Sequence, residues 1–396
     1  MTKPIQKLGY LPGLDGWRAL AIAGVLMTHD LPWKIGRFNN GKLRDYGGYG
    51  VYLFFAISGF LICTRILDEE RAKGTFNLKS FYVRRLFRIQ PASWLYLAVI
   101  AALMIAGVCH ESLGHWMGAL FQYQNFLFRA SDNSGTGAFT GHFWTLSVEE
   151  HFYVLLSFLL FFVRRRRIVV FGAVLLLLWA VQTWAEQHGY FSPDHSDRRT
   201  YWRVQYLLGP AFLALLVRLP KVRVAVTRFL HPWVAFVATI ALMVAAHGHP
   251  ESMRRLVTYN LIMTQWSQLF FGFSLWVIAT VTHPKSWTTR FLELAPMRFA
   301  GRLSYSLYLW HVIFFVPVHA EVGVTSPVLL FLSERPYKYV ATLIAALVSY
   351  YVVEKPLIRY GHRIAPPVFA GHRDLAVPPE VSKGAESAEA LQPVVR

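Results

Sequence analysis

Apolar residues in this chain come in long blocks rather than in alternating or one-in-four stripes. Ten blocks of near-continuous hydrophobic sequence run at roughly 14–31, 48–66, 91–109, 143–163, 167–185, 203–218, 231–247, 257–282, 303–321 and 337–354. Each approaches the ~20 residues that an α-helix needs to cross ~30 Å of hydrocarbon. Between them lie short polar gaps rich in Arg, Lys, Gly and Pro. The pattern predicts an all-α integral membrane protein with about ten transmembrane helices. The domain would occupy residues 1–364, followed by a disordered cytoplasmic tail at 365–396 that opens with Pro366 and Pro367.

Composition narrows the class. Of 396 residues, 55% are hydrophobic and only 16% charged, where a soluble domain carries about 25% charged residues. A soluble enzyme, a disordered chain and a disulfide scaffold are excluded. The net charge of +18 could signal nucleic acid, but its distribution argues otherwise. With the N-terminus placed in the cytoplasm, 27 of the 40 Lys and Arg residues fall in inside segments and 11 in outside ones. That bias reports orientation, with both termini cytoplasmic. The basic residues are divided among six inner segments, so no nucleic-acid surface is expected. Lys3 and Lys7 precede a first block containing Arg18, His29 and Asp30, which reads as a retained span rather than a cleaved signal. Cys63 and Cys109 fall near opposite faces and are not expected to pair. The sequence has no repeat at a fixed period, unlike many transporters.

Ionisable groups inside apolar blocks are expensive and become functional candidates. Arg18 and His29 stand 11 residues apart in the first block, which puts them on one helix face about 16 Å apart along the axis. Arg84, Arg85 and Arg88 precede the third block, with Pro91 placed at its first turn. Guanidinium forks there suit phosphate oxygens, or they anchor the chain to lipid phosphates. His142-Phe-Trp-Thr-Leu-Ser-Val-Glu-Glu-His-Phe-Tyr153 opens the fourth block. Ser147 and Glu150 could form a capping box, a reading that leaves Glu149 without a role. Tyr308 and His311 share a face in the ninth block, and the tenth ends Val353-Glu-Lys-Pro356.

In order along the chain, these stretches resemble the membrane-bound acyltransferase-3 family, O-acetyltransferases of sugars and polysaccharides. The matching segments are Leu14-Asp-Gly-Trp-Arg-Ala-Leu-Ala21 with His29, Gly50-Val-Tyr-Leu-Phe-Phe-Ala-Ile-Ser-Gly-Phe-Leu61, and the Arg85/Arg88 pair. They continue with Phe143 to Tyr153, Ser304 to His311 and Val353 to Pro356. Trp17, His151 and Lys355 depart from the family's commoner residues, and no appended periplasmic domain is expected. The resemblance implies a multi-pass protein of the bacterial inner membrane. It would transfer an acyl group, acetyl foremost, from cytosolic acyl-CoA to a carbohydrate or glycolipid hydroxyl, with no metal. Arg85, Arg88, Arg84 and Arg18 would hold the coenzyme A phosphates. His29 would be the general base, and Glu149 would orient it, stabilise its cation or bind acceptor hydroxyls. Ser147, Tyr153 and His311 would line the substrate. The rival class is a lipid or glycan transporter without chemistry.

Overall fold

The computed structural model describes residues 11–30, 34–35, 38–39, 47–127, 137–188, 198–247, 272–316 and 324–367. Apart from a two-residue ribbon pairing Lys34–Ile35 with Phe38–Asn39, the regular structure among them is helical. In chain order the helices are α1 (Pro12–His29), α2 (Tyr49–Lys73), α3 (Leu78–Ile105), α4 (Leu113–Leu120), α5 (Gln124–Leu127), α6 (Phe143–Phe162), α7 (Arg167–Gln187), α8 (Thr200–Arg203) and α9 (Gln205–Leu216). They continue as α10 (Pro220–Phe229), α11 (Pro232–His247), α12 (Phe273–Thr282), α13 (Trp287–Leu292), α14 (Ala295–Phe315), α15 (Pro327–Leu332) and α16 (Tyr337–Val348). A π-helical turn (Ser349–Glu354) then leads into α17 (Lys355–Ile364).

Every apolar block seen in the sequence falls on a helix. The eighth does so only through α12, because 257–271 lie outside the described residues. The tail from 368 onward lies outside them too. Among the described residues, four helical stretches are long and apolar enough to cross a membrane: α2, α3, α6 and the continuous run Tyr337–Ile364.

Two boundaries differ from expectation. Pro91 does not start a helix. It lies inside α3, which begins at Leu78 where Asn77 Oδ1 caps Ser80 N–H at 3.0 Å. Proline removes one ladder hydrogen bond and crowds the carbonyl four residues back. Nearby, the Tyr305 hydroxyl on α14 donates to the Ile89 carbonyl at 2.7 Å and meets Ser93 Oγ at 2.8 Å. The arginines at 84, 85 and 88 therefore ride on the spanning helix itself. The last block also continues past 354. Pro356 cannot donate to a ladder, and the π turn before it absorbs the mismatch, so the helix runs on to Ile364.

α1 lies at the centre, packed against α2, α12, α13 and α14. Its approach to two neighbours depends on glycine. A Cβ at Gly50 would run into the Ala21 carbonyl, and one at Gly301 would run into the Asp15 backbone. Small residues allow such backbone contact in membranes. Two apolar clusters flank α1: one gathers α2, α6, α9 and α12, the other α3, α14 and the segment before α6.

One face is laced by charge. Asp68, Glu69 and Glu70 lie near the end of α2, just before Arg71 and Lys73 in its last turn. Each is neutralised by a different element: Asp68 by Arg218 at 2.5 Å, Glu69 by Arg84 at 2.8 Å, and Glu70 by Arg167 at 2.5 Å. Among the described residues, Cys63 and Cys109 are buried and unpaired.

Candidate active site

The sequence candidates gather around α1 in two groups. The first surrounds Arg18, one and a half turns into the helix. Asp15, in its first turn, holds the Arg18 guanidinium at 2.8 Å. Arg88 and Arg85 from α3 approach the same place, and Arg88 lies within electrostatic range of Arg18, Arg85, Tyr153 and Asp15. Arg85 stacks over the Tyr153 ring at 4.6 Å and donates to its hydroxyl at 3.5 Å. Glu149 on α6 meets the Ser58 and Tyr153 hydroxyls, with Arg85 and Arg88 acting on it. Arg88 is exposed, and Arg18, Arg85 and Glu149 are half-buried, while Tyr153 is buried. Three guanidinium groups gather here with the Asp15 and Glu149 carboxylates, and guanidinium forks suit phosphate oxygens.

Arg84 does not join this group. Its guanidinium is held by Glu69 and also reaches the Pro366 carbonyl at 3.5 Å. Ser147 does not face it either. α6 begins at Phe143, so Ser147 is an interior residue rather than a cap, and its hydroxyl donates to the Phe143 carbonyl at 3.0 Å. His151 turns to the Thr200 hydroxyl at 2.6 Å.

The second group surrounds His29, the last residue of α1. Its Nδ1 lies 2.9 Å from the Val25 carbonyl. A carbonyl only accepts, so Nδ1 carries the proton and Nε2 is the basic nitrogen of the neutral ring. The His311 ring from α14 meets it edge-on, with centroids 4.9 Å apart. His311 is fully buried and donates from Nδ1 to the Tyr308 carbonyl at 2.7 Å. His142, just before α6, lies 5.9 Å from His311 and 5.5 Å from Tyr308 between centroids. The Tyr308 hydroxyl donates to the His142 carbonyl at 2.8 Å and meets Thr145 Oγ1 at 2.6 Å. Among the described residues, no three such side chains converge as ligands of one metal ion.

Asp30 does not orient the His29 ring. It is buried and points to α16. Its Oδ1 accepts from Arg335 Nε at 3.1 Å, Arg335 Nη2 at 3.0 Å and Lys338 Nζ, and its Oδ2 accepts from the Tyr339 hydroxyl at 2.6 Å. This clamp ties the end of α1 to α16 and thereby fixes where His29 stands. The groups acting on Glu149 belong to the arginine pocket, and Glu149 in turn acts on Tyr308 of the imidazole cluster.

Several contacts here could not be read from local sequence. His142 sits at the edge of a recognisable stretch but has no telling spacing. Arg335, Lys338 and Tyr339 reach Asp30 across more than 300 residues. Glu354 receives the Ser306 and Ser349 hydroxyls at 2.6 and 2.9 Å, a pairing that no single helix period reveals. Arg203 lies among Tyr52, Tyr206 and Trp144, with its carbon 5.3, 5.7 and 5.9 Å from the ring centroids. Between α3 and α4, Glu111 holds the segment leading to His142. Its Oε2 accepts from Phe139 N at 2.9 Å and Thr140 N at 3.2 Å, and burial pushes its carboxyl up to about 7.

Fold and site together define a helical membrane protein whose helix α1 joins an arginine pocket to an imidazole cluster. The chain belongs to the acyltransferase-3 family, since the model of its acyltransferase domain matches residues 11–358. Among curated relatives, the Staphylococcus aureus (strain COL) protein named "Putative O-acetyltransferase SACOL0978" is 28% identical over 384 residues. That alignment covers 90% of this chain and 58% of the relative. "Putative peptidoglycan O-acetyltransferase YrhL" of Bacillus subtilis (strain 168) is 28% identical, covering 92% of this chain and 57% of its own. "Peptidoglycan O-acetyltransferase OatA" of Listeria monocytogenes is 25% identical, covering 89% and 56%. The chain thus spans less than 60% of the length of these relatives. No solved structure matches it significantly.

Proposed function

We propose that this protein is a membrane O-acyltransferase that moves an acetyl group from cytosolic acetyl-CoA to a hydroxyl of a saccharide acceptor. The observation that carries the reading is the pairing of the two groups along α1. Arg18, Arg85 and Arg88 form a polyanion-binding pocket, and His29 presents a basic nitrogen about 16 Å further along the same helix, by helical rise. A pantetheine arm is of comparable length. The nucleotide phosphates would rest on the guanidinium groups while the thioester reaches His29. There His29 Nε2 takes the proton of the acceptor hydroxyl as its oxygen attacks the thioester carbon. The C–S bond then breaks, and the thiolate recovers a proton from His29. Glu149, beside Tyr153 and Ser58, tempers the charge of the arginine pocket.

The reading places ten spans in the inner membrane of a bacterium with both termini cytoplasmic, supported by the excess of inside Lys and Arg. Relatives named for peptidoglycan O-acetylation make peptidoglycan or its lipid-linked precursor the first acceptor to test. Membranes containing the protein are incubated with acetyl-labelled acetyl-CoA, and the label is followed into lipid-linked sugar and polymer. Label in either fraction is expected, at levels dependent on the protein. Its absence from both, in membranes that hold folded protein and acceptor, would contradict the reading.

A further inference from the structure

Near the proposed base stands a ring whose polar atoms nothing in the folded chain satisfies. His142, just before α6, is 7% exposed, and neither its Nδ1 nor its Nε2 has a hydrogen-bond partner. An unmet buried polar atom is destabilising, so two on one side chain call for a functional account. Burial keeps the ring neutral and pushes its pKa down to about 3, with charge on His29 adding to the effect. A neutral imidazole carries one N–H and one lone pair. Both nitrogens are unpartnered, so either tautomer presents an unspent N–H donor.

The surrounding donors are engaged. His311 gives Nδ1–H to the Tyr308 carbonyl. The Tyr308 and Thr145 hydroxyls lie 2.8 and 3.1 Å from the His142 carbonyl and 2.6 Å from each other, which spends their protons there. Those contacts also fix the backbone at His142. Its ring is walled by Phe143, Tyr96 and Tyr308, with centroids 4.9, 5.2 and 5.5 Å away. Glu111 anchors the segment leading to it. The donor is therefore held rigidly among rings. It also stands close to the chemistry, since the His311 ring lies 5.9 Å from His142 and 4.9 Å from His29.

We infer that the His142 ring N–H donates to the thioester oxygen and stabilises the negative charge that gathers there during transfer. This rests on the O-acyltransferase reading above. As the acceptor oxygen bonds to the acyl carbon, its proton goes to His29 and the carbonyl π pair moves onto the thioester oxygen. His142 donates a hydrogen bond to that oxygen and keeps its own proton. The carbonyl then re-forms, the C–S bond breaks, and the thiolate takes the proton from His29. A donor fixed in advance where charge develops, in a site of low dielectric, raises kcat rather than ground-state binding. On this assignment His142 is a catalytic residue, and its unmet N–H is the stability cost of that role.

The test compares His142→Phe, His142→Asn and His142→Gln in the full chain in native membranes, reading transfer of label from acetyl-CoA per folded protein. Phe keeps a ring and removes both nitrogens. Asn can place an amide N–H near the Nδ1 position, and Gln can place one near Nε2. His142→Phe should lower kcat about a hundredfold, with KM for acetyl-CoA within about twofold of wild type. One of the two amide variants should transfer at least tenfold faster than Phe. Its pH limbs of kcat should match those of wild type, because His142 passes no proton. Thermal melts separate this role from a structural one. Phe removes two unmet polar atoms, so its midpoint should be no lower than that of wild type. The inference is overturned if Phe keeps kcat within about threefold, if neither amide exceeds Phe, or if the loss lies in KM. It is equally overturned if a pH limb vanishes or if Phe melts below wild type. Wild-type membranes that transfer no label would instead overturn the O-acyltransferase reading itself.

Discussion

Asp30→Asn should cost this protein more stability than any other single change of charge at the site. The carboxylate is 2% exposed, and the Lys338 side chain that it neutralises is also 2% exposed. Arg335 completes the cluster but is 36% exposed, so water can solvate it when Asp30 is lost. Lys338 has no such recourse. It would be left as a buried cation between the Phe315 and Tyr339 rings, 4.7 and 5.6 Å from their centroids. Breaking one side of a buried pair costs about 3–5 kcal/mol. Cation–π attraction returns about 1 kcal/mol of that, leaving a net loss of about 3 kcal/mol. At about 2 °C per kcal/mol for a chain of this size, the unfolding midpoint should fall by roughly 6 °C. The assay is tryptophan fluorescence of detergent-solubilised protein on heating, at fixed scan rate. Adding Lys338→Met removes the stranded charge, so the double variant should regain at least half of the loss. A midpoint for Asp30→Asn within 2 °C of wild type would refute the argument, and so would a double variant no better than the single one. Because the clamp sets the end of α1, Asp30→Asn should also lower kcat more than it raises KM.

Other perturbations test separate links. Replacing Arg85 and Arg88 together with Ala should raise KM for acetyl-CoA at least tenfold while kcat changes less, read from initial rates; a change confined to acceptor KM would move the phosphate site elsewhere. Gly301→Ala should cost about 1–3 kcal/mol through overpacking, since the Asp15 backbone occupies the space a Cβ needs; thermal melts check it, and a neutral result would mean that α14 can shift freely. Glu111 predicts a pH dependence. Its carboxyl is raised from 4.5 to about 7, so between those values the folded state holds a proton that the unfolded state has released. Stability should therefore fall as pH rises from about 4.5 to about 7 and level off above, by about 3 kcal/mol in all. Glu111→Gln should flatten that slope, and an unchanged slope would assign it to other groups.

The helices were legible in the sequence because apolar blocks of membrane length admit few other structures. Their ends were less so. Pro91 reads locally as a helix start, yet α3 carries it internally with Tyr305 hydrogen-bonded nearby. Spacing put Arg85 with Arg88 on one helix face and Arg18 on the face of His29, while the grouping of Arg18 with the arginine pair was implied by the resemblance. What spacing cannot show is which charge is already taken. Arg84 looks equivalent to Arg85 until Glu69 is found beside it. Asp30 follows His29 directly in sequence, yet Arg335, Lys338 and Tyr339 hold it. Ser147 reads as a cap only while the start of α6 is unknown. His142 and His311 meet because α6 and α14 pack together, a long-range fact without periodicity.

The account stands most directly on His29. In proteoliposomes containing the full chain and an extract of lipid-linked saccharide, acetyl-labelled acetyl-CoA is supplied on the face that carries the N-terminus. Product is counted after a single turnover for wild type and for His29→Ala at matched folded protein. The account predicts labelled saccharide with wild type and a loss of at least a hundredfold with His29→Ala, with acetyl-CoA binding retained. Transfer by His29→Ala at the wild-type rate would contradict it.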